Sequence, residues 1–314
     1  MYSLICKGSL RLPRNYDLRI VLSVYNFGFW FDGENCFLQL DEDGNNVVLI
    51  NTSGKYAIYS SDRGSKCNSL IARLNYILGL HEDLSEFYKF AENDPLLWCF
   101  AKKYSGWRVR STSLWWGLII GVCQQNASFK QGWSMLYNII RLYGRKAVLN
   151  GKEYPLIPRP CDVLDDPELL IRAKTGYRSK TILRVAREID RIKSMVKEVK
   201  EPDKIESILR SIRGVGSYTA RLAMVLALRR YELPPIDRWV KRIISKAYCV
   251  SEKIVEKYFI HIWREYSGLA AFATTIALDA VPLRKALDRL RRNQVCPLED
   301  SEMFSPLNLW RHMK

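Results

Sequence analysis

Apolar positions recur at three- and four-residue intervals through most of the chain after residue 84, whereas the first sixty residues are built of short β-rich runs. The later pattern predicts helices over 84–92, 95–104, 113–125 and 127–143, with a capped helix inside 162–174. The 113–125 segment is apolar nearly all round (LWWGLIIGVC) and ends in Gln124, Gln125 and Asn126. After Thr175-Gly176-Tyr177-Arg178-Ser179-Lys180, a further helix places Ile182, Val185, Ala186, Ile189, Ile192 and Val196 on one face. Arg184, Arg187, Arg191 and Lys197 occupy its other face, as a solvated basic surface would. Helices over 252–266, 270–278 and 282–292 follow, and the tail from Cys296 is loop-like, packing in part through Phe304, Leu307 and Trp310. In the first sixty residues, runs at 19–25, 28–31, 36–40 and 47–51 read as strands, with another at 55–60. They are separated by Asn-Phe-Gly, Asp-Gly-Glu-Asn and Asp-Gly-Asn-Asn, and a helix over 70–78 stops at Gly79. The expected fold class is α+β, with an antiparallel sheet domain over 1–92 followed by a mostly helical region over 93–314. Residues 145–159 read as a polar loop around Asn150-Gly151.

The stretch from 202 to 248 organises the rest. Ile205, Ile208, Leu209 and Ile212 form the stripe of a short helix begun by Pro202-Asp203. Gly214-Val215-Gly216 breaks it, and Ser217 is expected to cap a second helix reaching about Leu228. That second helix starts with unpaired amide N–H groups beside small residues, which suits a phosphate. Past the turn Glu232-Leu233-Pro234-Pro235, Asp237 sits at the N-cap of a third helix carrying Trp239, Val240, Ile243 and Ile244.

Charge sharpens this picture. Of 49 Lys and Arg against 33 Asp and Glu, a formal net of +16, residues 1–92 hold 9 basic and 11 acidic side chains and residues 172–246 hold 20 and 8. Positive charge concentrated around the hairpin favours a polyanionic partner, most simply nucleic acid. The eight cysteines are scattered without a C-x-x-C, which argues against a zinc site, an iron–sulfur cluster or a cysteine-dense secreted framework. The three histidines make no ligand pattern, so no metal and no cofactor is expected. The chain starts without a secretory signal, and its longest strongly apolar stretch is too short to span a membrane; a protein of the cell interior, acting as a monomer with no membrane partner, is expected.

Helix, G-V-G hairpin, apolar helix, proline turn and then Asp 21 residues past Gly216 is a combination that resembles the helix-hairpin-helix DNA glycosylases. The resemblance covers about residues 95–280 by motif, with the helix-hairpin-helix at about 203–228. By architecture it reaches the N-terminal β-domain that accompanies glycosylases for 8-oxoguanine and for alkylated purines. It implies a base-excision-repair enzyme that flips a damaged purine out of duplex DNA and cleaves its glycosidic bond. Asp237 is then the catalytic carboxylate, and Gly214, Val215, Gly216, Ser217 and Tyr218 are the phosphate grip. Gln125, with Asn126 beside it, would fill the hole left by the extruded base. Tyr218 and Trp239 would stand at the base pocket, and Asp237, at a helix N-terminus, is expected to favour its ionised form.

Two departures narrow the reading. Family members that also cut the strand carry a lysine where this chain has Tyr218, and an aromatic residue there resembles the alkylpurine enzymes, which use water. The segment 268–275, Gly-Leu-Ala-Ala-Phe-Ala-Thr-Thr, lacks the amide side chain and terminal aromatic of the 8-oxoguanine pocket. A monofunctional glycosylase favouring alkylated purines is therefore expected. Two alternatives stay open: a glycosylase/lyase for 8-oxoguanine recruiting Lys180 or Lys241, and a non-catalytic DNA-binding protein.

Overall fold

The computed structural model describes residues 1–25, 30–298 and 302–312. A four-stranded antiparallel sheet is built from β1 (Ser3–Ser9), β2 (Asn35–Gln39), β3 (Asn46–Asn51) and β4 (Lys55–Ser60), in the order β1-β4-β3-β2. The helices Leu18–Ser23 and Cys67–Leu78 pack on one face over a core of Leu22, Cys36, Val48, Ile58, Leu74 and neighbours. The remaining chain is a helical bundle with its own larger core, wrapped around Leu114–Gln124, whose residues 114–123 are all buried. The architecture is α+β, as the sequence pattern indicates.

Several expectations are corrected. Most of the run expected as a strand at 19–25 lies in the helix Leu18–Ser23: the Asp17 side chain accepts from the Ile20 amide, and Leu18, Val21 and Leu22 are buried at helical spacing. The strand expected at 28–31 lies partly outside the described residues; Phe31 makes a single bridge to Cys36. Residues 145–159 are not a loop, since β5 (Lys146–Leu149) and β6 (Lys152–Pro155) form a hairpin. Asn150 and Gly151 turn it with φ of 51° and 79°, and Ala147, Leu149 and Tyr154 pack on Phe37 and Val47 of the sheet. The segment 162–174 divides into two short helices, Pro160–Asp165 and Glu168–Arg172. Leu84, Phe87, Tyr88 and Ala91 pack into the larger core.

The scattered cysteines also conceal two disulfides. Cys6–Cys67 ties the edge strand β1 to the helix Cys67–Leu78, and Cys99–Cys296 ties the bundle to the start of the C-terminal segment. Two buried or nearly buried arginines close the seam between sheet and bundle. Arg110 donates to the carbonyls of Leu22 (2.7 Å) and Tyr25 (2.9 Å) at the end of the first helix. Arg229 donates to Tyr76 (2.7 Å) and Ile77 (2.9 Å) at the end of the second, and pairs with Glu82 at 2.6 Å. Each satisfies carbonyls that a helix C-terminus leaves without partners. Among the described residues no helix is long and apolar enough to cross a membrane, and no group of three or more His, Cys, Asp and Glu side chains converges on one point.

Candidate active site

The helices Pro202–Arg210 and Ser217–Ala223 form the hairpin, and the second continues as a π-helical turn over Met224–Leu228. Its two glycines do different work. Gly214 has φ 103°, and a Cβ there would collide with the Thr181 side chain, so glycine is required by the backbone and by the neighbouring helix Arg178–Lys197. Gly216 has φ −93°, and a Cβ there would meet nothing within 4 Å. Glycine at 216 is therefore not demanded by the fold; it leaves open space in front of a helix N-terminus. Among the described residues nothing accepts from the backbone N–H of Gly216, Ser217 or Tyr218. Val215 differs from its expected role: its side chain is core, and its N–H is held by the Ile212 carbonyl at 3.0 Å. Ser217 is the first helical residue and Gly216 occupies the N-cap, so no serine cap forms.

Gln125 closes the neighbouring buried helix and is not free. Its side-chain amide donates to the Gly214 carbonyl (3.2 Å) and to Thr219 Oγ1 (2.7 Å), while the Arg178 guanidinium donates to the Gln125 backbone carbonyl. It thus braces the hairpin against the bundle, helped by Gly121, where a Cβ would touch Thr219 at 2.8 Å. Asn126, one residue on, is exposed with φ 46°, a backbone state that asparagine tolerates better than most residues.

Beside the hairpin lies a cavity of about 610 Å³, within the range of small-molecule and base pockets. Asp237, Tyr218 and Trp239 line it together, as do Ala271, Phe272 and Thr275 of the helix Ser267–Ala277. Asp237 caps the helix Arg238–Ala247, with Oδ1 accepting from the Val240 amide at 2.7 Å. Burial pushes its carboxyl above the ordinary aspartate range, and the backbone N–H bonds oppose this only in part. Removal from water therefore outweighs the helix N-terminus that was expected to favour the ionised form. The Tyr218 hydroxyl is pushed well up by burial and by the nearby Asp237 charge, so it stays a neutral phenol. The Trp239 indole donates to the Val281 carbonyl at 2.8 Å, which fixes the plane of its ring.

Sequence patterns missed several lining residues. Tyr25 enters from the sheet side, Phe129 and Trp133 from one face of the helix Phe129–Tyr143, and Phe304 from the C-terminal segment. Gln124 also lines the cavity, and its amide nitrogen is buried without a partner. Only Phe129 and Trp133, four apart on a helix directly after the Gln124-Gln125-Asn126 set, left a local signal. The lysine on the cavity wall is Lys130; neither Lys180 nor Lys241 is there.

No family model matches the sequence. A DNA-3-methyladenine glycosylase of Bacillus subtilis is 29% identical over 180 residues, 55% of this chain and 58% of the relative. The matched region thus spans somewhat over half of that relative's length. A 3-methyladenine DNA glycosylase from Archaeoglobus fulgidus superposes with a TM-score of 0.68 at 20% identity, over 86% of this chain and 97% of the other. An 8-oxoguanine glycosylase/lyase from Clostridium acetobutylicum, solved with double-stranded DNA carrying cytosine opposite 8-oxoguanine, gives 0.63 at 19% identity over 89% and 93%. The described residues thus combine a two-part fold, a hairpin N-terminus and a capping aspartate on one aromatic cavity. The chain shares the fold of these DNA glycosylase structures.

Proposed function

We propose that this protein is a monofunctional DNA glycosylase that flips a damaged purine out of duplex DNA and hydrolyses its glycosidic bond, with alkylated purines preferred to oxidised ones. The observation that carries the reading is a half-buried carboxylate, Asp237, on the wall of an aromatic cavity beside a helix N-terminus with unpaired amides. A base inside the duplex cannot be attacked at its sugar carbon, so it must leave the stack and enter a pocket. Breaking the bond builds positive charge on the sugar, as in glycoside hydrolysis. The Asp237 carboxylate stabilises that charge and orients or deprotonates the attacking water. The Gly216–Tyr218 amides hold a backbone phosphate and fix the register of the strand. Tyr218 stands where a strand-cutting enzyme would need an amine, which supports hydrolysis, as does the likeness to a relative named for 3-methyladenine. The protein acts on duplex DNA as a monomer, inside the cell.

The test is a panel of duplexes, each with one 7-methylguanine, 3-methyladenine, hypoxanthine, 8-oxoguanine or uracil, assayed for base release and then for borohydride trapping. Release of a methylated purine without a trapped adduct is the expected result. A trapped adduct would establish the lyase alternative, with Lys130 as the first lysine to replace; no release from any duplex would leave a silent DNA-binding module.

The extrusion role passes in this reading from Gln125 to Asn126. Asn126→Ala should slow single-turnover release from a well-paired lesion roughly tenfold, and less from a mismatched one, because unstacking costs only a few kcal/mol. Gln125→Ala frees the hairpin instead, so it should weaken binding to lesion and undamaged duplexes alike. Equal lesion dependence for the two variants would return the wedge to Gln125.

A further inference from the structure

A second cavity, of about 510 Å³, shares no lining residue with the one beside the hairpin. The helix Phe129–Tyr143 serves both: Phe129 and Trp133 line the first, and Tyr137, Ile140 and Arg141 line the second. The remaining walls are the β5–β6 hairpin, residues 30–32 of the sheet domain and Trp310 near the C-terminus. Three large rings stand in these walls, each fixed by its surroundings. The Trp30 carbonyl accepts from the Phe37 amide of β2, and the Trp30 ring meets Tyr154 edge-on, with centroids 4.6 Å and planes 62° apart. Tyr154 in turn stacks on Phe37 at 4.8 Å. Trp310, on the helix Leu309–His312, meets Phe31 edge-on at 5.0 Å, and Gly33, at φ 103°, lies against its ring.

The charged groups around these rings are unevenly matched. Arg145 is held by the carbonyls of Ile157 and Asp43 and by the Asp162 carboxylate. Lys146 pairs with Glu153 at 2.6 Å, and the Asp32 carboxylate accepts from the amides of Glu34 (3.0 Å) and Asn35 (2.6 Å). Arg141 and Lys152 remain; both are exposed, and among the described residues neither forms an ion pair. Lys152 lies two residues before Tyr154 on β6 and so shares its face of the hairpin. Its ammonium stands 4.4 Å from the Trp30 ring centroid and 5.5 Å from that of Tyr154. The Trp30 face is thus covered by an exposed cation rather than by packed hydrocarbon. Such a contact is weak, so a flat ring can take the face while the ammonium turns to an anion beside it.

We propose that this second cavity is a nucleotide-binding site, in which a base lies on the Trp30 face and Arg141 and Lys152 take its phosphate. Aromatic faces beside cations without carboxylate partners suit a planar anion. A cationic ligand, which the rings alone would also attract, is repelled by Arg141 and Lys152. A free nucleotide and a nucleotide of a single strand both carry the required chemistry, whereas a base stacked inside a duplex does not expose its face. The site goes beyond the base-release reading and does not rest on it.

The test is calorimetric titration of the full chain, at low salt and without duplex, with deoxyadenosine monophosphate and with a short single-stranded oligothymidylate. Saturable binding with a dissociation constant below about 1 mM is expected. Arg141→Ala should weaken it about tenfold, as the loss of a charge-assisted phosphate contact implies. Trp30→Leu should weaken it at least about fivefold, while Trp30→Phe, which keeps a ring, should stay within about twofold of wild type. Lys152→Ala, at an exposed side chain, decides together with Arg141→Ala if Trp30→Leu unfolds. Lys130→Ala removes the cation of the catalytic cavity and should change nothing. Tighter binding of the oligonucleotide, with a salt slope that Arg141→Ala lowers by about 0.7, would support the site as a grip on a single strand. Equal affinity for the two probes would support it as a site for the free nucleotide. No saturable binding of either probe overturns the proposal. So does weakening by Lys130→Ala with Arg141→Ala indifferent, which would put the nucleotide in the catalytic cavity. Base release is not read in this experiment, so either failure leaves the glycosylase reading where it stood.

Discussion

Asp237→Asn should abolish most base release while leaving the protein folded and able to bind lesion DNA. Asparagine keeps the side-chain oxygen that accepts from the Val240 amide, so the cap on the helix Arg238–Ala247 survives. Only the charge is lost, and with it the stabilisation of the developing sugar cation. Removing such a preorganised electrostatic partner costs on the order of 10²–10³ in rate. The stability sign follows from the raised pKa. Burial favours the protonated carboxyl in the folded state, so ionising Asp237 costs stability as pH rises above its unfolded value. The variant escapes that cost, and its melting temperature at neutral pH should equal or exceed the wild-type value. The wild-type maximal rate should rise with pH through an inflection above the ordinary aspartate range, because only the carboxylate acts. Single-turnover release at saturating enzyme measures both effects. A wild-type rate in Asp237→Asn would leave the aspartate as a helix cap and nothing more. Tyr218→Lys, which places an amine in the cavity, should not rescue it.

Much of this site was legible because its signals are local. The glycine pair, the proline turn and an aspartate ahead of an amphipathic helix each act within a few residues of themselves. The helix Arg178–Lys197 was equally plain, with Ile182, Val185, Ala186, Ile189, Ile192 and Val196 all buried at the expected period. What failed was of two kinds. Some local chemistry is outvoted: β-branched residues at 20–21 suggest a strand where the Asp17 cap makes a helix, and Asn150-Gly151 suggests a loop although the alternation around it makes a hairpin. The rest leaves no trace in sequence spacing. Cys6 and Cys67 are 61 residues apart and Cys99 and Cys296 are 197 apart, so neither pair could be read from a motif. The cavity walls are of this second kind. Tyr25, Trp133 and Phe304 come from segments far apart in the chain, and only the closing of the sheet domain and the tail onto the bundle brings them together. Gln125 is a subtler case. Its position at a helix end was right, but the fold gives its amide two partners on the hairpin, which leaves the exposed place to Asn126.

Gly216→Asp should cut affinity for every duplex, damaged or not, roughly ten- to a hundredfold at low salt, as the loss of charge-assisted phosphate contacts implies. The structure makes this an unusually clean substitution. Nothing within 4 Å would meet the new Cβ, and the backbone φ of −93° suits any residue. Position 216 is also the N-cap of Ser217–Ala223, where an aspartate is a good capping residue and its charge complements the helix dipole. Stability should hold or rise. The same features that suit the fold defeat the function, because the carboxylate would take the amides a phosphate needs and would repel it as well. Gly214→Ala is the opposite case: at φ 103° and against Thr181 it should lower the melting temperature before any question of DNA arises. Salt titration separates a lost phosphate grip from a general weakening. Binding should fall with salt in the wild type with a slope near −0.9 for each phosphate neutralised, and Gly216→Asp should flatten that slope by about one contact. A well-folded Gly216→Asp protein with wild-type affinity and an unchanged slope would mean that the basic surface holds DNA elsewhere and that the hairpin N-terminus is not the grip.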